Sequence, residues 1–312
     1  MRFLLILILL AVPITAPAFE RNKHIEFSLD AVSLYKACTN TFVSGNVAMA
    51  LAQGANDEDI PNLVRSSNWH FYANDGKVDR DGVFLFLAWD RTNENIFLTR
   101  TDALDELLKD EAEGLKKMIG HETEEKIRKF REKSGEKIYA AAGRVAHHIQ
   151  DMSSPPHVMP NFHMGGDAFD KHEPNSVPNL ATQEICAEIG SKTTSTYPEL
   201  LNEAAKKTLK TVATPVQFAS GYKDETETWE KFWSSEKDER SKHGFLPYGK
   251  YGKTFGIVDT SGGNVNRSRY DKATFDAYFN EQRKQAIMNT VRLLMFIDTL
   301  RGKTGWEMKQ GI

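Results

Sequence analysis

The sequence predicts an all-α fold, a single multi-helix domain with long loops. Three observations carry the prediction: apolar residues recur at helical spacing in several separate stretches, one segment is apolar around nearly its whole circumference, and no stretch alternates as a half-buried strand does. In order, Ser28 reads as the cap of a first helix carrying Leu29, Val32, Leu34, Tyr35, Val43, Val47 and Ala50, which Gly54 stops. Helical periodicity returns from about Asp102 to Met118 on Leu104, Leu107, Leu108 and Leu115, and again from Thr123 to Lys133. The segment from Glu136 to Met152 is rich in alanine and bulky apolar residues and reads as a central buried helix, ended by Pro155 and Pro156. After a polar loop from Pro160 to Pro178, helices are expected over Leu180 to Lys192, Pro198 to Val212, Glu225 to Trp233 and Thr274 to Leu300. The glycines and aromatics from His243 to Tyr270 read as a long ordered surface loop with room for a small hairpin.

Residues 1–18 read as a secretory signal. Arg2 supplies the positive start, Phe3 to Val12 the short apolar run, and Ala16-Pro17-Ala18 a small-x-small cleavage pattern, so the mature domain spans 19–312 and begins at Phe19. The run is shorter than the roughly 20 residues that cross a bilayer, and no later one is longer, so no transmembrane anchor and a secreted or periplasmic location are expected. The formal net charge is −3, and cleavage would remove Arg2 and no acidic residue, leaving −4. Such a balance gives no broad electrostatic footprint for nucleic acid or anionic membrane. Cys38 and Cys186 are the two cysteines. In an exported chain a disulfide between them is the favoured reading, with two buried thiols as the alternative.

The strongest chemical signal is the run from Ala146 to His157, AHHIQDMSSPPH. His147 and Asp151 stand four apart and share a helix face, where both reach one metal ion, and His157 returns just after the prolines. A histidine and a carboxylate inside an apolar helix are costly without a partner, and a metal supplies one. A plain buried His–Asp hydrogen bond is the competing reading. His148, about 100° around the helix, points elsewhere.

These residues resemble the central motif of the zinc-dependent phospholipase C / P1 nuclease family. The resemblance implies an all-α enzyme that holds three zinc ions in a cleft and hydrolyses phosphodiesters. By it, His147 belongs to the first zinc, Asp151 bridges two zincs and His157 opens the second site. The GANDED run and the following Trp69-His70-Phe71-Tyr72 are similar to the family's Asp and His-Phe pair, which makes Asp59 and His70 the remaining ligands of the first zinc, with Asp57 as a fallback. Asp59 is also the residue this likeness assigns to orient or deprotonate the attacking water. The family's mature N-terminus binds the third zinc through its amine and carbonyl, a role that falls to Phe19, with His24 adding its side chain. The family usually starts with Trp, so Phe19 is a departure. His163 and Asp167 have the spacing that closes the second site, with Asp170 as the alternative to Asp167 and with His172 and Glu173 in reserve.

A donor set of histidines and carboxylates without thiolates suits hydrolytic zinc. The preferred expectation is a phospholipase C that cleaves the glycerol-side phosphodiester of phosphatidylcholine-like lipids at a membrane or micelle surface, with no specific nucleic-acid partner. The HIQDMSSPPH and HFY segments look closer to the bacterial lipases of this family, whereas the short gap from Phe19 to His24 and the His-x-x-x-Asp pattern resemble its nuclease branch, a P1-type single-strand nuclease. A secreted zinc-binding protein without turnover is the third reading. His121 and His243 read as surface histidines, and Asn266-Arg267-Ser268 matches a glycosylation sequon to which no function is attached.

Overall fold

The computed structural model describes residues 21–58, 83–84, 87–88, 92–158, 169–170, 172–192, 196–217, 226–229 and 272–302. Within them the fold is all-α. The helices are α1 (Arg21–Thr39), α2 (Gly45–Glu58), α3 (Thr92–Met118), α4 (Glu124–Asp151), the single turn α5 (Pro155–Val158), α6 (Gln183–Gly190), α7 (Tyr197–Val212) and α8 (Lys272–Gly302). Two small antiparallel pairs accompany them, β1 (Val83–Phe84) with β2 (Leu87–Ala88) and β3 (Pro215–Gln217) with β4 (Thr226–Thr228).

The helix expected from Ser28 to Gly54 is two helices. Asn40 takes a φ of 56° at the end of α1, a left-handed conformation that asparagine tolerates and a helix does not continue through. Ser28 is not a cap but a buried residue inside α1. Gly54 does not stop α2; it sits within that helix against α4, where a Cβ would overlap the carbonyl of Ala140. Gly143 makes the reciprocal approach, against the carbonyl of Leu51. Two glycines thus let the backbones of α2 and α4 come closer than side chains would allow.

The stretches from Thr123 to Lys133 and Glu136 to Met152 are one helix, α4, because nothing in Ser134-Gly135 is strong enough to break it. Thr123 caps its start, its side chain accepting from the Lys126 N–H. Residues 145–151 are all buried, so the last two turns of α4 are enclosed on every side, as the alanine-rich pattern predicts. The two prolines do not end α4 but open α5, with Met152 as the C-cap of α4.

Around α4 lie α1, α2, α3, α7 and α8. The core stripe of α1 runs His24, Phe27, Ser28, Ala31, Leu34 and Tyr35, one face of a 3.6-residue period. Its charged edge pairs with α8, where Arg283 bonds Glu26 and Asp30, and the Tyr35 hydroxyl donates to Asp298. A disulfide joins Cys38 at the end of α1 to Cys186 on α6, with 5.1 Å between the Cα atoms. The helix expected at Glu225 to Trp233 is a correction: Thr226–Thr228 is a strand, its two β-branched threonines pairing back to residues 215–217. Trp229 then anchors the strand by stacking on Tyr278 of α8, 4.3 Å between centroids. The expected surface loop from His243 to Tyr270 lies outside the described residues, as does the proposed signal segment. No helix among the described residues is long and apolar enough to cross a membrane.

Candidate metal centre

α1 delivers His24 and the last turns of α4 deliver His147 and Asp151. His147 and Asp151 lie one turn apart, with 3.2 Å between Nε2 and Oδ2. From the other side, the Nε2 of His24 comes within 3.4 Å of Asp151 Oδ1. The two imidazoles face each other at 4.1 Å between centroids, tilted by 32°. All three residues are fully buried, and one donor atom from each lies within 4.8 Å of the others.

This arrangement fits a bound cation. Asp151 closes the C-terminal end of α4, where the helix dipole is negative, so a buried carboxylate there is costly unless positive charge stands beside it. Two imidazole nitrogens and a carboxylate converging on one point are a donor set that a divalent metal such as zinc takes up. Each oxygen of Asp151 faces a different histidine, an arrangement suited to contacts in two directions.

His157 is fully buried on α5 but stands outside the three-residue group. Asp170 is also fully buried and accepts a hydrogen bond from Ser154 at 2.7 Å. The candidate ligands Phe19, Asp59, His70, His163 and Asp167 lie outside the described residues. Asp57 is not at the centre: it accepts from Gln53 on the outer side of α2. Of the reserve ligands for the second site, His172 lies 2.6 Å from Asp276 and leans on Phe275, and Glu173 pairs with Lys23; neither belongs to the three-residue group. His121 is exposed, as a surface histidine should be.

Two residues the sequence reading passed over stand beside the centre. Glu58, between the two aspartates singled out in GANDED, is a buried acid. Its Oε1 accepts from Arg100 and its Oε2 from Arg144, both at 2.8 Å, and His148 approaches at 3.5 Å. Burial works to raise its carboxyl, but the interactions with His148 and the Arg100 hydrogen bond outweigh it and hold Glu58 well below the ordinary 4.5. Burial holds His148 below 6.5 against the pull of Glu58. The spacing Leu51, Ala55, Glu58 on the inner face of α2 was the signal that could have found Glu58. The second residue is Gln150, fully buried beside Asp151, whose Oε1 lies 2.8 Å from His24 Nδ1.

In comparisons with known proteins, the chain matches no family model, no curated protein and no solved structure.

Proposed function

We propose that this chain is a secreted zinc-dependent phospholipase C, hydrolysing the glycerol-side phosphodiester bond of phosphatidylcholine-like lipids to diacylglycerol and a phosphorylated head group. The observation that carries the reading is the buried meeting of His24, His147 and Asp151, which arrive from two helices far apart in sequence. The Cys38–Cys186 disulfide supports an oxidising, exported setting. A formal net charge of −3 supports a zwitterionic lipid over a polyanion as substrate.

In this reading the centre would hold three zinc ions, which when bound would supply a water activated near neutral pH and charge stabilisation of the phosphoryl oxygens. His24, His147 and Asp151 would be ligands, with Asp151 shared between two ions. Phe19, Asp59, His70, His157, His163 and Asp167 would complete the set. Asp59 orients the attacking water and takes its proton as the new P–O bond forms and the bond to the glycerol oxygen breaks. The departing oxygen leaves as the alcohol of diacylglycerol after taking up a proton.

The test uses purified mature protein with its bound metal quantified, assayed on phosphatidylcholine micelles and on single-stranded DNA. Head-group release that a chelator abolishes and zinc restores is the expected result. Cleavage of DNA alone would make the protein a P1-type nuclease. Bound zinc with turnover of neither substrate would make it a zinc-binding protein without catalysis.

A further inference from the structure

We infer that Gln150 is a positioning residue that locks His24 in one tautomer and presents its Nε2 to the metal centre. The inference rests on reading His24, His147 and Asp151 as ligands. Its basis is a chain of hydrogen bonds running from α8 through α4 to α1, every side chain of which is fully buried.

The chain begins at Thr290, whose hydroxyl donates to the carbonyl of Ala286 one turn back at 2.8 Å. That donation uses its single hydrogen, so toward Gln150, 3.1 Å away, Thr290 Oγ1 only accepts. The nitrogen end of the Gln150 amide must therefore face Thr290, and the same nitrogen donates to Ser28 Oγ at 3.2 Å. With that end fixed, Oε1 faces His24 Nδ1 at 2.8 Å. A carbonyl oxygen only accepts, so Nδ1 carries the hydrogen, and in the neutral ring Nε2 is the lone-pair nitrogen. Nε2 is the atom turned toward Asp151 and His147. Flipping the amide would set oxygen against oxygen at Thr290, where burial removes the water that would soften the clash, and would require His24 to move its proton to Nε2 so that Nδ1 could accept. Gln150 thus selects the ligating nitrogen of a residue it does not neighbour in sequence, as outer hydrogen-bond partners of metal-bound histidines do.

The experiment is long-range proton–nitrogen NMR on protein labelled with 15N-histidine, metal-free and zinc-loaded, with zinc affinity measured by competition against a coloured chelator. His24 is expected to carry its proton on Nδ1 in both states and to ligate through Nε2 on loading. Gln150→Leu is expected to lose about 10–100-fold in zinc affinity. Thr290→Val is expected to lose less and Thr290→Ser nothing, with helical content unchanged by circular dichroism. A proton on Nε2 of His24 in the metal-free protein overturns the proposal, as does wild-type zinc affinity in Gln150→Leu. If Gln150→Leu does not fold, Thr290→Val against Thr290→Ser decides in the same way. If the wild-type protein binds no zinc, the ligand reading fails, while the Nδ1 proton of the metal-free protein still decides the lock.

Discussion

Glu58 and Arg144 meet across the crossing of α2 and α4, with 2.8 Å between Oε2 and Nη1 although 86 positions separate them. Glu58 is buried, and Arg144 is still about a third exposed, 32 %. With Arg100 on its other oxygen, Glu58 ties three helices together immediately behind the turn that carries His147 and His148.

Because the Glu58 carboxylate is enclosed and held from both sides, Glu58→Gln should destabilise the fold by about 2–3 kcal/mol, below the usual cost of breaking a fully buried pair because both arginines retain access to water. Urea unfolding in the presence of chelator measures this without a metal contribution. A loss under about 0.5 kcal/mol, the size of an ordinary surface substitution, would show that the cluster is not structural.

Acid should weaken the metal-free protein in two stages. His148 is held neutral with its folded value below 6.5, so its contribution is present above that pH and is lost as pH falls below it. Glu58 is held ionised with its folded value below 4.5, so its contribution stands above pH 4.5 and is lost on further acidification. Melting temperature against pH, compared with Glu58→Gln, tests the assignment: the variant should lose the steeper fall below pH 4.5, and an unchanged lower limb would reject it.

Removing metal should lower the melting temperature, and zinc at about 100 times its dissociation constant should return about 2.7 kcal/mol. His147→Ala should abolish that response and most bound zinc, and His157→Ala should lower the zinc count. Full metal content retained in both variants would reject the placement of the centre.

Gly54→Ala should cost about 1–3 kcal/mol, because the added methyl meets the Ala140 carbonyl and not a side chain that can turn away. Thermal unfolding reads this directly, and Gly45→Ala, which has open space around it, is the control expected to show no such loss.

Cys38 and Cys186 are separated by 148 positions, so their bond closes a long loop in the unfolded chain. The double variant Cys38→Ser with Cys186→Ser should lose about 2–5 kcal/mol in urea unfolding and match the reduced wild-type protein. Equal stability with and without reductant would contradict the pairing.

The helical class, the buried character of the end of α4 and the pairing of His147 with Asp151 were legible in the sequence, because each is a local periodicity: an enclosed helix is apolar all round, and residues four apart share a face. What periodicity cannot express is which residues from distant segments meet. The break at Asn40 depends on a single backbone conformation, the glycines at 54 and 143 on how closely two helices approach, and the strand at Thr226–Thr228 on a pairing partner at residues 215–217. The arrival of His24 beside His147, and the roles of Glu58, Gln150 and Thr290, were likewise decided by tertiary packing. Those residues act by donating or accepting across helices, and the donor and acceptor facing each side chain exist only after the chain has folded.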